Sequence, residues 1–279
     1  MQEVEIKINK SSGAESIKLN LPTCWNELSG KQLLYVSKFW FIWKEFIQEN
    51  ISLTKARALL FLELTNITSR REKKRLCFAL SFINEQTDVN ILDTTNFIFG
   101  ELTLTKNLLP SIPVGFFTKY YGPAEKLVDI NISEFSFAFA CYSNYLKTHQ
   151  ETHLDKLVAV LYRPKNKNYK TTGELRVDFN NKMITRYEKK TARLPREYKH
   201  AVFLFFKGCL EFLASEKQFP QVFNSGNEKK YSGGSFIDAV VNMSGGKFGP
   251  FDTTKNQNLY IILKELRELI IANSKTQTK

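Results

Sequence analysis

The segment 33–47 constrains the fold most, because 11 of its 15 residues are aliphatic or aromatic and no single helical stripe can hold them. Ser29 and Gln32 stand at capping-box spacing just ahead of it, which sets a helix start there and carries the helix to about Glu49. A helix that is apolar nearly all round is either central to a core or lies against something outside the chain. The core reading has the greater weight, since buried Trp and Phe usually fill a domain of this size. The second reading makes Trp40 and Trp43 partner-binding anchors, of the aromatic kind that dominates protein interfaces. The same run does not predict a membrane span: its most apolar part, 39–47, is broken by Lys44 and Glu45 and is far shorter than the roughly 20 residues a bilayer requires.

Around this helix the periodicities predict a mainly α (α+β) fold: a helical domain with an N-terminal β-hairpin and a few short strands. Residues 2–9 and 15–21 alternate polar and apolar about Ser11-Ser12-Gly13-Ala14, a hairpin with a four- or five-residue loop closed by Pro22. Further helices are expected at about 53–63 and 69–84, while 88–117 reads as loops and short strands. A helix beginning near Asn131 or Ser133 carries Phe135, Ala138, Phe139, Tyr142 and Leu146 on one face, and another starts near Thr152 and ends at Pro164. An apolar helix follows at 196–216, then a polar linker at 224–234 and a short helix at 235–243. The final helix, capped by Asp252 or Thr253, places Leu259, Ile262, Leu263, Leu266, Leu269 and Ile270 on one face. The parts are the hairpin 1–22, an aromatic-rich helical part 23–120 and a helical part 121–279 with a basic excursion at 163–200; they can form one continuous domain.

Charge is unevenly placed. The 279 residues carry 40 Lys and Arg against 28 Asp and Glu, a net +12, and 163–200 alone holds 12 basic and 4 acidic side chains, or +8. A concentrated excess can attract phosphates or a carboxylate-rich surface, and Lys189, Lys190, Arg193 and Arg196 are its candidate basic-surface residues. Tyr169, Phe179, Tyr187 and Tyr198 are interleaved with the cations, a mixture that could also stack on bases. Arg163 is set apart: lying between Tyr162 and Pro164 at a helix end, it can cap the last carbonyls of its own helix. A second cluster, Arg70-Arg71-Glu72-Lys73-Lys74-Arg75, reads better as the solvated first turn of a helix.

Chemical motifs are weak. Cys24, Cys77, Cys141 and Cys209 lie 53 to 68 residues apart with no zinc-finger spacing and are read as free thiols. His149 and His153 are four apart, but Gln150 occupies the place of the zincin glutamate and a helix break near Thr152 spoils the geometry. Gly245-Gly246-Lys247 fails as a phosphate loop because Phe248 stands where Ser or Thr should follow the Lys; a glycine turn between helices suffices. No Gly-x-Ser-x-Gly elbow occurs, and three His leave few members for a triad. The expectation is a protein that is not an enzyme, with no catalytic residue, metal ligand or cofactor. The first residues alternate charge with apolar side chains, unlike a signal peptide, so a cytosolic chain is expected.

Several phrases together carry a resemblance: Tyr121-Gly122-Pro123, Ser133-Glu134-Phe135, the run from Leu157 to Pro164, Phe206-Lys207-Gly208-Cys209, and Gly245-Gly246-Lys247-Phe248-Gly249 before a Leu-rich last helix. The set resembles a family of tail-region proteins from phages and prophages of the Bacteroidota, considered tail assembly chaperone-like, over roughly residues 120–272. The resemblance implies a non-enzymatic virion-morphogenesis role, either as a transient chaperone or as a structural component. The partner would be another virion or tail protein, the tape-measure protein among the candidates, met in the cytoplasm of the bacterial host or in the particle. It leaves self-association open and transfers no active-site residue. The alternative reading from charge alone is a basic nucleic-acid-binding protein.

Overall fold

The computed structural model describes residues 1–10, 13–42, 53–67, 69–80, 93–223, 236, 238 and 241–277. Its secondary structure is mainly helical, with two small antiparallel sheets among the described residues. The chain divides into two compact units, Met1–Thr103 and Leu104–Lys279.

In the first unit β1 (Gln2–Lys10) and β2 (Gly13–Leu21) pair in a register that sets Gln2 against Leu21 and Lys10 against Gly13. The strands therefore run closer to the turn than the alternation suggests, because Gly13 and Ala14 continue the ladder instead of forming the loop. Leu19 and Leu21 are buried while Lys18 and Asn20 face water, the period of two that a half-buried hairpin requires. The capping box forms as its spacing predicts: Gln32 N donates to Ser29 Oγ (3.2 Å) and Ser29 N donates to Gln32 Oε1 (2.8 Å). It opens α1 (Gly30–Ile42); the remainder of the expected helix, with Trp43, lies outside the described residues. Gln32 Nε2 reaches on to the Leu64 carbonyl at 2.6 Å, fastening α1 to the end of α2 (Leu53–Leu64). Leu33, Val36, Phe39, Leu60, Phe61 and Leu64 are buried, with Leu76 of α3 (Arg70–Leu80). Lys73 of α3 pairs with Glu63 at 2.6 Å, while Arg70, Arg71 and Lys74 face solvent. A short helix, α4 (Asn96–Phe99), stands within the stretch read as loop and strand. Its Ile98 is buried, and Phe97 meets Trp25 edge-on.

The second unit is built on α5 (Ile132–Thr148), α6 (Glu151–Leu161) and α8 (Arg196–Ala214). Asn131 caps α5 by accepting from Glu134 N at 2.8 Å. Leu154, Leu157, Val158, Val160 and Leu161 of α6, and Ala201 to Phe206 of α8, are buried, and Phe135 packs with Phe206 and Phe236. Gly208 is obligatory in α8: a Cβ there would lie 2.2 Å from the Leu104 carbonyl oxygen. This close approach helps to place 104–120 in the second unit, and the same segment supplies β3 (Ser111–Pro113) and β4 (Lys119–Tyr121). α7 (Ile184–Thr191) lies against α6, and α9 (Leu259–Gln277) packs on the helix Pro220–Phe223. α9 begins later than expected. Asp252 and Thr253 belong to a separate short helix, Phe251–Thr254, and Asn258 caps α9 by accepting from Tyr260 N at 2.9 Å. The glycine-rich turn has φ of 83° at Gly245 and 77° at Gly249. That is a glycine's reason to be there, and Lys247 points to Glu265 at 2.8 Å. Of the expected helix at 235–243, residues 236, 238 and 241–243 are described and are helical, while its other residues and the linker 224–234 lie outside the described residues.

Candidate functional site

Most of the basic stretch 163–200 is exposed, as its composition suggests, but part of it is folded into the second unit. Arg163, Arg176, Tyr187, Thr191, Leu194, Lys199 and His200 are all buried. The cause is a set of carboxylates and carbonyls contributed by α5, α6 and the turn before α5. Arg163 Nη1 donates to the Val160 carbonyl (2.6 Å), the helix-end cap that its position predicts, and Nε donates to the Val177 carbonyl (2.9 Å). Nη2 reaches Glu134 Oε2 at 3.0 Å. Arg176 Nη1 donates to Glu134 Oε1 (2.7 Å) and to the Leu161 carbonyl (3.0 Å), and its Nη2 donates to Asp129 Oδ2 (3.0 Å). Burial alone would lower the Arg176 guanidinium; Glu134 and Asp129 more than offset it and hold it above its ordinary value.

Two adjoining clefts of about 650 and 480 Å³ open beside this cluster, sharing Asp178, Phe179 and Asn256. Their walls come from the start of α5, the segment 174–182 and the turn before α9. Phe179 covers the Arg163 guanidinium at 5.7 Å and packs on Phe137 at 5.5 Å. Both oxygens of Glu134 accept from guanidinium N–H groups, so this one carboxylate holds Arg163 and Arg176 together.

The outer face of the same stretch is different. α7 is fastened by Thr191 Oγ1 donating to the Asp155 carbonyl (2.8 Å) and by the Tyr187 ring meeting Tyr120 edge-on at 5.6 Å. Lys199 Nζ ties the following turn to α6, lying 2.6 Å from Asp155 Oδ1 and donating to the Ala192 carbonyl at 3.0 Å. Held in this way, α7 and the turn after it turn Arg186, Lys189, Lys190 and Arg193 to solvent. Among the described residues none of these four has an ion-pair partner. Arg196 is exposed as well but pairs with Glu151 at 2.6 Å. Tyr187 is buried and Phe179 is packed against Phe137, so these two rings are not presented for stacking on bases.

The other candidate residues fall elsewhere. Trp40 is half-buried in the first unit, its ring edge-on to the buried Trp25 at 6.2 Å, and Trp43 lies outside the described residues. His149, at φ 55°, is the residue that ends α5, and His153 lies in α6, so a helix end separates the two imidazoles. Among the described residues no group of His, Cys, Asp and Glu is placed to hold a metal ion. Cys209 is buried against the Thr105 carbonyl, and burial pushes the Cys141 thiol up to about 11. No described helix is long and apolar enough to cross a membrane. Sequence reasoning missed Glu134, Arg176 and Asp129. The signal that could have found Glu134 is its place in the run Ser133-Glu134-Phe135, a charge between two positions of a buried helix start.

No protein-family model, no curated protein and no solved structure matches this chain.

Proposed function

We propose that this chain is a non-enzymatic binding protein of virion morphogenesis, tail assembly chaperone-like or structural, that holds another virion protein against the basic face of α7. One observation carries the reading: Arg186, Lys189, Lys190 and Arg193 stand without an ion-pair partner among the described residues on α7 and the turn after it, whose inner side is locked by Thr191, Tyr187 and Lys199. A backbone that is already fixed presents these cations together to a carboxylate-rich surface, and their charge steers its approach. The tail-region resemblance supplies the class of partner, and the tape-measure protein of the same phage or prophage is the first candidate. The pairing of Glu134 with both Arg163 and Arg176 supports a structural use of these buried charges.

The test compares wild type with Lys189→Glu/Lys190→Glu for binding to the purified tape-measure protein and to duplex DNA over a salt series. Binding to the tail protein that weakens as salt rises in wild type, and that is at least tenfold weaker at low salt in the variant, supports the proposal. Salt-dependent DNA binding that the same change abolishes assigns the face to nucleic acid instead.

A further inference from the structure

Phe116 and Phe117 stand 94% and 93% exposed, at the tip of the β3–β4 hairpin. Scattered apolar side chains on a surface need no explanation, but two adjacent Phe rings with nearly their whole area in water are a recurrent mark of a binding site. Their base is firm. Val114 N donates to the Thr118 carbonyl (2.9 Å) and Thr118 N to the Gly115 carbonyl (3.4 Å), closing the turn. Ile112 and Tyr120 are buried beneath it, and Tyr121 exchanges both backbone hydrogen bonds with Arg163 (2.8 and 3.1 Å). The two rings meet edge to face, 4.7 Å apart and 86° between planes, so they form one wedge rather than two independent side chains.

We propose that this wedge is a plug that enters an apolar pocket rimmed by carboxylates on a partner protein, with Lys119 and Lys190 meeting the rim. This rests on the proposed function and extends its docking face. Lys119 is the first residue of β4 and is exposed, and Lys190 of α7 lies with its Nζ 5.8 Å from the Tyr120 ring, so the hairpin that carries the plug borders the basic helix. Pro110 precedes β3 and Pro113 ends it, and neither carries an N–H, which disfavours engagement by added strand and leaves the tip side chains as the contact. A second copy of this chain is a poor occupant, because it would bring the same cations, Lys119, Arg186 and Lys190, against themselves. A bilayer gives no advantage to rings fixed at one mutual angle, whereas a shaped protein pocket does.

The experiment places a photo-crosslinking phenylalanine analogue at position 116 or 117 in the native host, with Val128 and Leu146, each about half exposed, as control positions of the same unit. The expected result is one protein adduct from 116 and 117 that the controls do not give. That protein, purified, is then titrated with the wild-type chain, Phe116→Ser/Phe117→Ser and Lys189→Glu/Lys190→Glu. The Phe variant should bind at least tenfold more weakly with the salt dependence unchanged, whereas the Lys variant should lose salt dependence. No adduct, an adduct with a second copy, or equal adducts at the controls overturns the plug. So does binding to vesicles with 30% phosphatidylserine that the Phe variant alone loses. A Lys variant that binds as wild type, beside a weakened Phe variant, overturns the basic-face reading and leaves the plug standing.

Discussion

Arg163 and Lys190 belong to the same basic stretch and do opposite things. Arg163 is buried on Glu134, on two carbonyls and beneath the Phe179 ring, while Lys190 extends from α7 into water beside Tyr120. One inward set of cations (Arg163, Arg176, Lys199) orders the segment, and one outward set (Arg186, Lys189, Lys190, Arg193) is what that order displays. A buried guanidinium removed from its partner leaves an uncompensated charge in low dielectric, whereas an exposed ammonium costs almost nothing to remove. Composition counts both sets alike; the fold separates them.

The largest effect should come from the shared carboxylate. Glu134→Gln leaves the buried Arg163 without a counter-charge and Arg176 with Asp129 alone, and is expected to destabilise the protein by about 3–5 kcal/mol, measured by denaturant unfolding. A loss under about 1 kcal/mol would mean that the cluster is solvated and that the contrast with α7 is false.

The next comparison lies within one turn of α8, between Lys199 and Arg196. Lys199 pairs with Asp155 in a buried site and Arg196 pairs with Glu151 at the surface. Lys199→Met should cost about 3 kcal/mol by stranding Asp155, against less than about 1 kcal/mol for Arg196→Met. Equal costs would erase the inward and outward distinction at its sharpest point.

His200 adds a pH arm to the buried side. Burial, with repulsion from Arg196 and Lys199, pushes its imidazole down to about 4 from an ordinary 6.5. The unfolded chain therefore binds a proton that the folded chain refuses between those values. This contribution is fully present above pH 6.5 and is lost as pH falls toward 4, on the order of 3 kcal/mol in all. Unfolding midpoints over that interval should fall steeply in wild type and less so in His200→Leu. The smallest effect is expected outside: Lys189→Glu/Lys190→Glu should leave stability within about 0.5 kcal/mol at any pH in this range.

Local signals in this chain were legible where they act over a few residues. The Ser29–Gln32 box, the Asn131 cap and the Arg163 cap on Val160 all operate within one helical turn, and each forms as its spacing implies. The burial of Arg163 and Arg176 was not legible, because their counter-charges lie far off in sequence: Glu134 is 29 residues from Arg163 and 42 from Arg176, and Asp129 is 47 from Arg176. Glu134 also disguises itself. It stands three residues after the capping Asn131, where a glutamate reads as the second half of a capping box, but its side chain turns inward to the guanidiniums. The start of α9 was misplaced for a related reason. Asp252, Thr253 and Asn258 are all competent caps, and the choice among them is made by the backbone pairing of 130–132 with 257–259, which no local pattern encodes.

Hydrogen exchange on the full chain, wild type beside Glu134→Gln, tests the central claim that buried charges order the basic stretch. The account predicts slow exchange in wild type at Arg163, Val177 and the amides of α7, which are hydrogen-bonded in the folded unit, and faster exchange at these sites in Glu134→Gln with α8 still protected. Exchange across 163–195 at the rate of an unfolded chain in wild type, or protection there that is unchanged in the variant, would contradict it.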